Sequence, residues 1–93
     1  MNTIGRIECI VSGRVQMVMY RDFATRTAKH VGIVGEVENL SDGTVRVVAE
    51  GDKEVLQQYI TALKRGSLFS RVEDVRVDWK EPTGTFTIFT LRY

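Results

Sequence analysis

Twice along this chain a two-residue alternation of apolar side chains gives way to a helical spacing and then returns, and that order constrains the fold more than any other feature. Ile7, Cys9 and Val11 alternate with Glu8, Ile10 and Ser12, the pattern of a first strand with one strongly apolar face. After a short loop the period changes. Phe23, Ala24, Thr27, Ala28 and Val31 recur at helical spacing, and Gly32 follows as a residue able to end a helix in the left-handed conformation. A first helix is expected over Arg21 to Val31. Ile33 to Leu40 and Thr44 to Glu50 read as two strands separated by Ser41-Asp42-Gly43, whose Asp-Gly pair suits a tight antiparallel hairpin. Asp52 offers an N-cap oxygen, and Val55, Leu56, Tyr59, Ile60 and Leu63 mark one face of a second helix ending at Gly66. Val75, Val77 and Trp79 alternate in a fourth strand, Pro82 and Gly84 make a turn, and Thr85 to Tyr93 reads as a short fifth strand.

Both helices have a single apolar face, so in a chain of 93 residues they must cover the same side of one sheet. The expectation is an α+β fold with ferredoxin-like split β-α-β topology. An antiparallel sheet of four to five strands would carry two helices on one face, as one domain over residues 1–93. Enzymes, metal carriers and RNA-binding modules all use this arrangement, so the fold leaves function open.

Charge narrows the choice. Thirteen basic and 12 acidic residues leave a net charge of +1, too little for a whole-molecule attraction to nucleic acid or an anionic membrane. The strands Ile7 to Ser12 and Thr44 to Glu50 contain no aromatic residue on which a base would stack, which argues against an RNA-recognition module. No apolar run approaches the roughly 20 residues of a membrane span, and Met-Asn-Thr-Ile-Gly-Arg lacks the basic-then-apolar order of a signal peptide. A cytoplasmic monomer with no nucleic-acid or membrane partner is expected. The single cysteine, Cys9, sits in an apolar strand and reads as a core residue. His30 has no nearby Cys or second His, so no metal site is expected there.

Residues Gly13 to Arg21, Gly-Arg-Val-Gln-Met-Val-Met-Tyr-Arg, lie between a strand and a helix, where anions bind. Backbone N–H groups at a helix start lack partners within the helix, and the dipole adds about half a positive charge. Arg21 alone would read as a solvated charge at a slightly unfavourable place, and Arg14 as solvated too. Asn39 alone would read as a turn residue before Asp42-Gly43. Glu36 and Glu38 alternate with Val37 and are expected to face solvent.

Two blocks together carry a resemblance. Gly13-Arg14-Val15-Gln16, followed by Val18, Tyr20 and Arg21, looks like the phosphate-binding loop of the acylphosphatases. Gly35 to Val45, with Asn39 inside it, is similar to that family's strand-turn-strand block. Weaker echoes are Gly51, Gly66 with Val72 and Val75, and Phe86 with Ile88. The resemblance implies hydrolysis of the carboxyl–phosphate anhydride of acyl phosphates, releasing inorganic phosphate, without metal, cofactor or phosphoenzyme. It implies Arg21 and Asn39 as catalytic. It also implies a phosphate cradle formed by Arg21 and the backbone of Val15, Gln16, Met17, Val18, Met19 and Tyr20. Met17 and Met19 stand where the family often has glycine. Methionine at a positive φ costs on the order of 1 kcal/mol, and the two side chains are expected to pack under the loop as flexible fillers, an apolar lip over the site being the second reading. The other functional reading is a catalytically weak or inactive module that binds a phosphorylated ligand or a protein partner.

Overall fold

The computed structural model describes residues 3–93; Met1 and Asn2 of the N-terminal stretch read above lie outside the described residues. The strands are β1 (Ile4–Arg14), β2 (Val34–Asn39), β3 (Val45–Asp52), β4 (Arg71–Lys80) and β5 (Phe89–Leu91). The helices are α1 (Tyr20–Val31) and α2 (Lys53–Arg65). The sheet order is β4-β1-β3-β2-β5. The first four strands pair antiparallel in the split β-α-β order, and β5 joins parallel to β2.

The first strand buries the side chains its alternation marks: Ile7, Cys9 and Val11 are inaccessible, as are Val37 of β2 and Val47 and Ala49 of β3. Against them pack Ala24 and Ala28 of α1 and Leu56, Tyr59 and Leu63 of α2, so the core lies between one face of the sheet and both helices. Burial pushes the Cys9 thiol up to about 12, which leaves it a protonated core group at neutral pH. Two tyrosines tie the helices together without leaving a buried hydroxyl unpaired. Tyr20 Oη donates to the Leu63 carbonyl and Tyr59 Oη to the Ala24 carbonyl, both at 2.8 Å. Tyr20 is the first residue of α1, so this bond also anchors the helix end from which Arg21 projects. The helix stop at Gly32 and the Asp52 cap form as expected, with Asp52 accepting from the N–H groups of Glu54 and Val55.

The hairpin after β2 is a three-residue loop closed by the Leu40 N–H on the Thr44 carbonyl at 2.9 Å. Gly43 takes φ 91°, and Asp42 Oδ1 accepts from both the N–H and the hydroxyl of Thr44. Asp42-Gly43 is thus accounted for by turn chemistry.

The C-terminal segment departs from its sequence pattern. Thr85 to Tyr93 reads as one strand, but the strand itself covers only Phe89–Leu91, because the chain leaves β4 at one sheet edge and re-enters at the other. Between them residues 81–88 cross the helix-free face of the sheet. Glu50 fastens this strap: its carboxylate accepts from the N–H groups of Thr83 and Gly84, each at 3.0 Å, from the Thr83 hydroxyl at 2.8 Å and from Arg6 at 2.6 Å. Burial by itself would raise the Glu50 pKa, but these donors together outweigh it and hold the carboxyl at about 2.

The folded value lies below the ordinary 4.5, so the unfolded chain takes up the proton first as pH falls. Stabilisation of about 3 kcal/mol is present above pH 4.5 and is lost as pH drops toward 2. Urea unfolding of wild type and Glu50→Gln should show a wild-type advantage at about pH 6 that shrinks steadily toward about pH 2.5. An advantage constant across that range would exclude the carboxylate as its source.

Candidate active site

The loop between β1 and α1 begins at an irregularity in the sheet. Ser12 pairs with Asp74 but Gly13 pairs with Val72, so the ladder slips by one residue at Glu73. Gly13 has φ 116°, and a Cβ there would overlap the Arg71 carbonyl oxygen and lie 2.8 Å from the Glu73 nitrogen. Gly13→Ala should cost about 3 kcal/mol or more in chemical denaturation, since both backbone strain and a backbone clash must be relieved. A cost under about 1 kcal/mol would show that the bulge can relax.

Beyond Gly13 the loop alternates in handedness. Met17 and Met19 both have φ 61°, and they are the only positive-φ residues other than glycine among the described residues. Alternation of left- and right-handed conformations turns successive N–H groups toward one concavity, the geometry of an anion nest. The N–H groups of Gln16, Met17, Val18, Met19 and Tyr20 have no partner among the described residues. Val15 departs from the expected cradle: its N–H is taken by the Gly13 carbonyl at 3.1 Å, and its side chain is buried. Gln16 contributes differently from its neighbours. Its side-chain amide donates to the carbonyls of Leu40 and Thr44, both at 2.8 Å, and so clamps the loop to the hairpin that follows Asn39.

Met17 and Met19 do not pack under the loop. Met17 is fully exposed and Met19 73% exposed, because a left-handed backbone at both positions directs the side chains away from the strand-to-helix connection. Neither thioether is a filler beneath the loop. Arg14 is exposed, as expected.

Arg21, in the first turn of α1, is held by the far end of the chain. Its guanidinium donates to the Arg92 carbonyl at 2.6 Å and sits 5.2 Å from the centre of the Tyr93 ring. These contacts exist because β5 runs beside β2, with Leu91 opposite Val37 and the Arg92 N–H on the Val37 carbonyl at 2.8 Å. Two residues further along each parallel strand are Tyr93 and Asn39, which brings Asn39, Arg21 and the loop to one end of the sheet. A cavity of about 440 Å³ opens there, lined by Val15, Met17, Met19, Arg21, Leu91 and Tyr93 among others. Asn39 is not part of its wall. Its side chain shares the helix-facing side of β2 with Val37, and its Oδ1 is buried without a protein partner. Glu36 and Glu38 lie on the opposite face, paired with Arg46 at 3.2 and 3.3 Å, and Glu36 also with Arg92 at 3.2 Å. Their charge is thereby kept off the cradle and neutralised.

Leu91, Arg92 and Tyr93 are expected from the sequence only as part of a fifth strand and not at the site, the one local pointer being an aromatic at Tyr93. A larger groove, about 490 Å³, lies between Lys53, Gln57 and Trp79. Trp79 pairs with Ile7, at the end of β1 remote from the loop, and nothing there matches the run of unpaired N–H groups. Among the described residues no three His, Cys, Asp or Glu side chains cluster as metal ligands would.

Comparison with known proteins matches this geometry. The acylphosphatase family model aligns with residues 7–91. An acylphosphatase of Thermus thermophilus is 49% identical over 79 residues, covering 85% of this chain and 90% of that protein. One from Methanococcoides burtonii is 39% identical and covers 99% of both. The crystal structure of acylphosphatase from Bacillus subtilis superposes with a TM-score of 0.92 at 35% identity, covering 98% of this chain and all of that one. A five-stranded mixed sheet, two helices on one face, a nest of free N–H groups and an arginine at the helix start thus accompany a family match along nearly the whole sequence, and the chain belongs to the acylphosphatase family.

Proposed function

We propose that the chain hydrolyses small acyl phosphates to a carboxylate and inorganic phosphate, with Arg21 and the loop amides holding the phosphoryl group and Asn39 orienting the attacking water. The observation that carries this reading is the run of unpaired N–H groups from Gln16 to Tyr20 beside the anchored guanidinium of Arg21. Together they supply fixed donors around one anion, the chief requirement of phosphoryl transfer.

The leaving group decides what else is needed. A carboxylate whose conjugate acid has a pKa of about 4 departs without a proton, so no general acid is required. Water attacks phosphorus, the bond from phosphorus to the acyl oxygen breaks with its electron pair on the carboxylate, and the water proton passes to the phosphate product or solvent. Arg21 neutralises charge on the equatorial oxygens through a planar fork of donors. Asn39 both donates and accepts, which suits it to position water, while an amide has no basicity near neutral pH to remove a proton. Its buried, unpartnered Oδ1 supports this role, since such an acceptor is relieved by a bound water. No described helix is long and apolar enough to cross a membrane, and we read the chain as a cytoplasmic monomer acting on free metabolites, with no nucleic-acid partner. Release of phosphate from benzoyl phosphate by wild type, abolished in Arg21→Gln, tests the assignment; a folded wild type without this activity would make the chain a binding module instead.

A further inference from the structure

The two methionines of the nest are difficult to explain by folding. Each holds a left-handed φ of 61°, at which glycine would be free of strain. Each also leaves its side chain in solvent, so no packing offsets that strain. What the side chains do is border the cavity. Met17 and Met19 line the opening together with Arg21, Leu91 and Tyr93. Met19 also lines a neighbouring recess of about 190 Å³ together with Phe23, Leu68 and Phe69, and Leu68 and Phe69 are themselves exposed. The polar floor that would take a phosphoryl group is therefore bordered by apolar surface running outward over several side chains. The acidic group at this border, Asp22, is paired with Arg26 at 2.8 Å.

We infer that Met17 and Met19 are specificity-determining residues that select acyl phosphates with an apolar acyl group, aromatic or of about four carbons or more, over acetyl phosphate. The inference rests on the acyl-phosphate reading of the site. An acetyl group offers the thioethers a single methyl. A phenyl ring or alkyl chain covers them and gains both apolar contact and, for a ring, a sulfur–aromatic contact. Unbranched methionine side chains adapt to acyl groups of different shape, so the selection is by polarity and size more than by outline.

The test compares the ratio of kcat/KM for benzoyl phosphate to that for acetyl phosphate in wild type, Met17→Gln/Met19→Gln and Met17→Leu/Met19→Leu. Glutamine keeps the side-chain length and the backbone strain but removes the apolar end. Any change in the cradle acts on the phosphoryl group common to both substrates and cancels in the ratio. The ratio is expected to fall about tenfold with glutamine, the discrimination a few apolar contacts provide, and to stay within about threefold of wild type with leucine. Kd values for benzylphosphonate and methylphosphonate, measured by calorimetry, give the same ratio without turnover, and the same change is expected there. Ratios within about twofold of wild type in the glutamine variant overturn the inference while the acyl-phosphate reading of the site stands. A wild type that hydrolyses neither substrate overturns the acyl-phosphate reading and this inference with it.

Discussion

Arg21→Gln is expected to lower kcat/KM for benzoyl phosphate by about 10³ or more, the range associated with an arginine that stabilises a transferring phosphoryl group. Glutamine retains a donor but loses the charge and the second arm of the fork, and neither is supplied by another side chain at the helix start. Arg14 is the other arginine of the loop segment and points into solvent. The structure adds a second consequence. Arg21 also holds the Arg92 carbonyl and the Tyr93 ring, so the variant releases the chain end as well as the phosphate. These effects are separable. Arg21→Lys keeps the charge and should recover phosphate affinity in part while remaining at least tenfold slow, because an ammonium cannot hold two phosphoryl oxygens in one plane. Removing Tyr93 alone leaves the fork intact and should cost less than tenfold. Arg21→Gln turning over within tenfold of wild type would remove this residue from the mechanism.

Asn39→Ala is expected to reduce kcat by about 10² or more while the inhibition constant for inorganic phosphate moves less than about threefold. The split follows from the assigned role: phosphate is held by the loop and Arg21, and water orientation matters only as the transition state forms. Stability should move little. Asn39 Oδ1 is buried with no protein donor, so alanine breaks no hydrogen bond of that oxygen within the protein, and the melting temperature should stay within a few degrees of wild type. A variant that loses activity together with several degrees of melting temperature would indicate that Asn39 supports the hairpin, and one with wild-type turnover would remove it from catalysis. Because Gln16 fastens the loop to the Leu40 and Thr44 carbonyls, the turn itself has an independent tie and should survive the substitution.

Much of this protein is written in local periodicity. Ile7, Cys9 and Val11 are buried because alternate residues of a strand face one side. Leu56, Tyr59 and Leu63 are buried because their spacing places them on one helical stripe. In α1 the stripe is shifted slightly: Thr25 is buried and Thr27 only partly so, because the Thr25 hydroxyl bonds back to the Arg21 carbonyl at 2.8 Å and hides its polarity. The strand ends were less legible. β1 runs to Arg14 and β4 spans Arg71–Lys80, since partners on neighbouring strands extend pairing past the last residue of clear alternation.

The site divides along the same line. Arg21, Asn39 and the loop were visible in the sequence because each belongs to a short block whose residue order reflects its own turn or helix start. By itself the sequence determined the order of elements, the shared helix face, the family and those blocks. Tertiary structure alone decided that β5 enters parallel beside β2, that Glu50 straps residues 81–88 across the sheet, and that Arg92 and Tyr93 grip Arg21. It also decided that Met17 and Met19 face outward and that Gln16 joins the two motifs. The reason is sequence distance. Arg21 and Arg92 are 71 positions apart, and a contact of that span is set by how every intervening strand pairs, information that no local pattern of side chains contains.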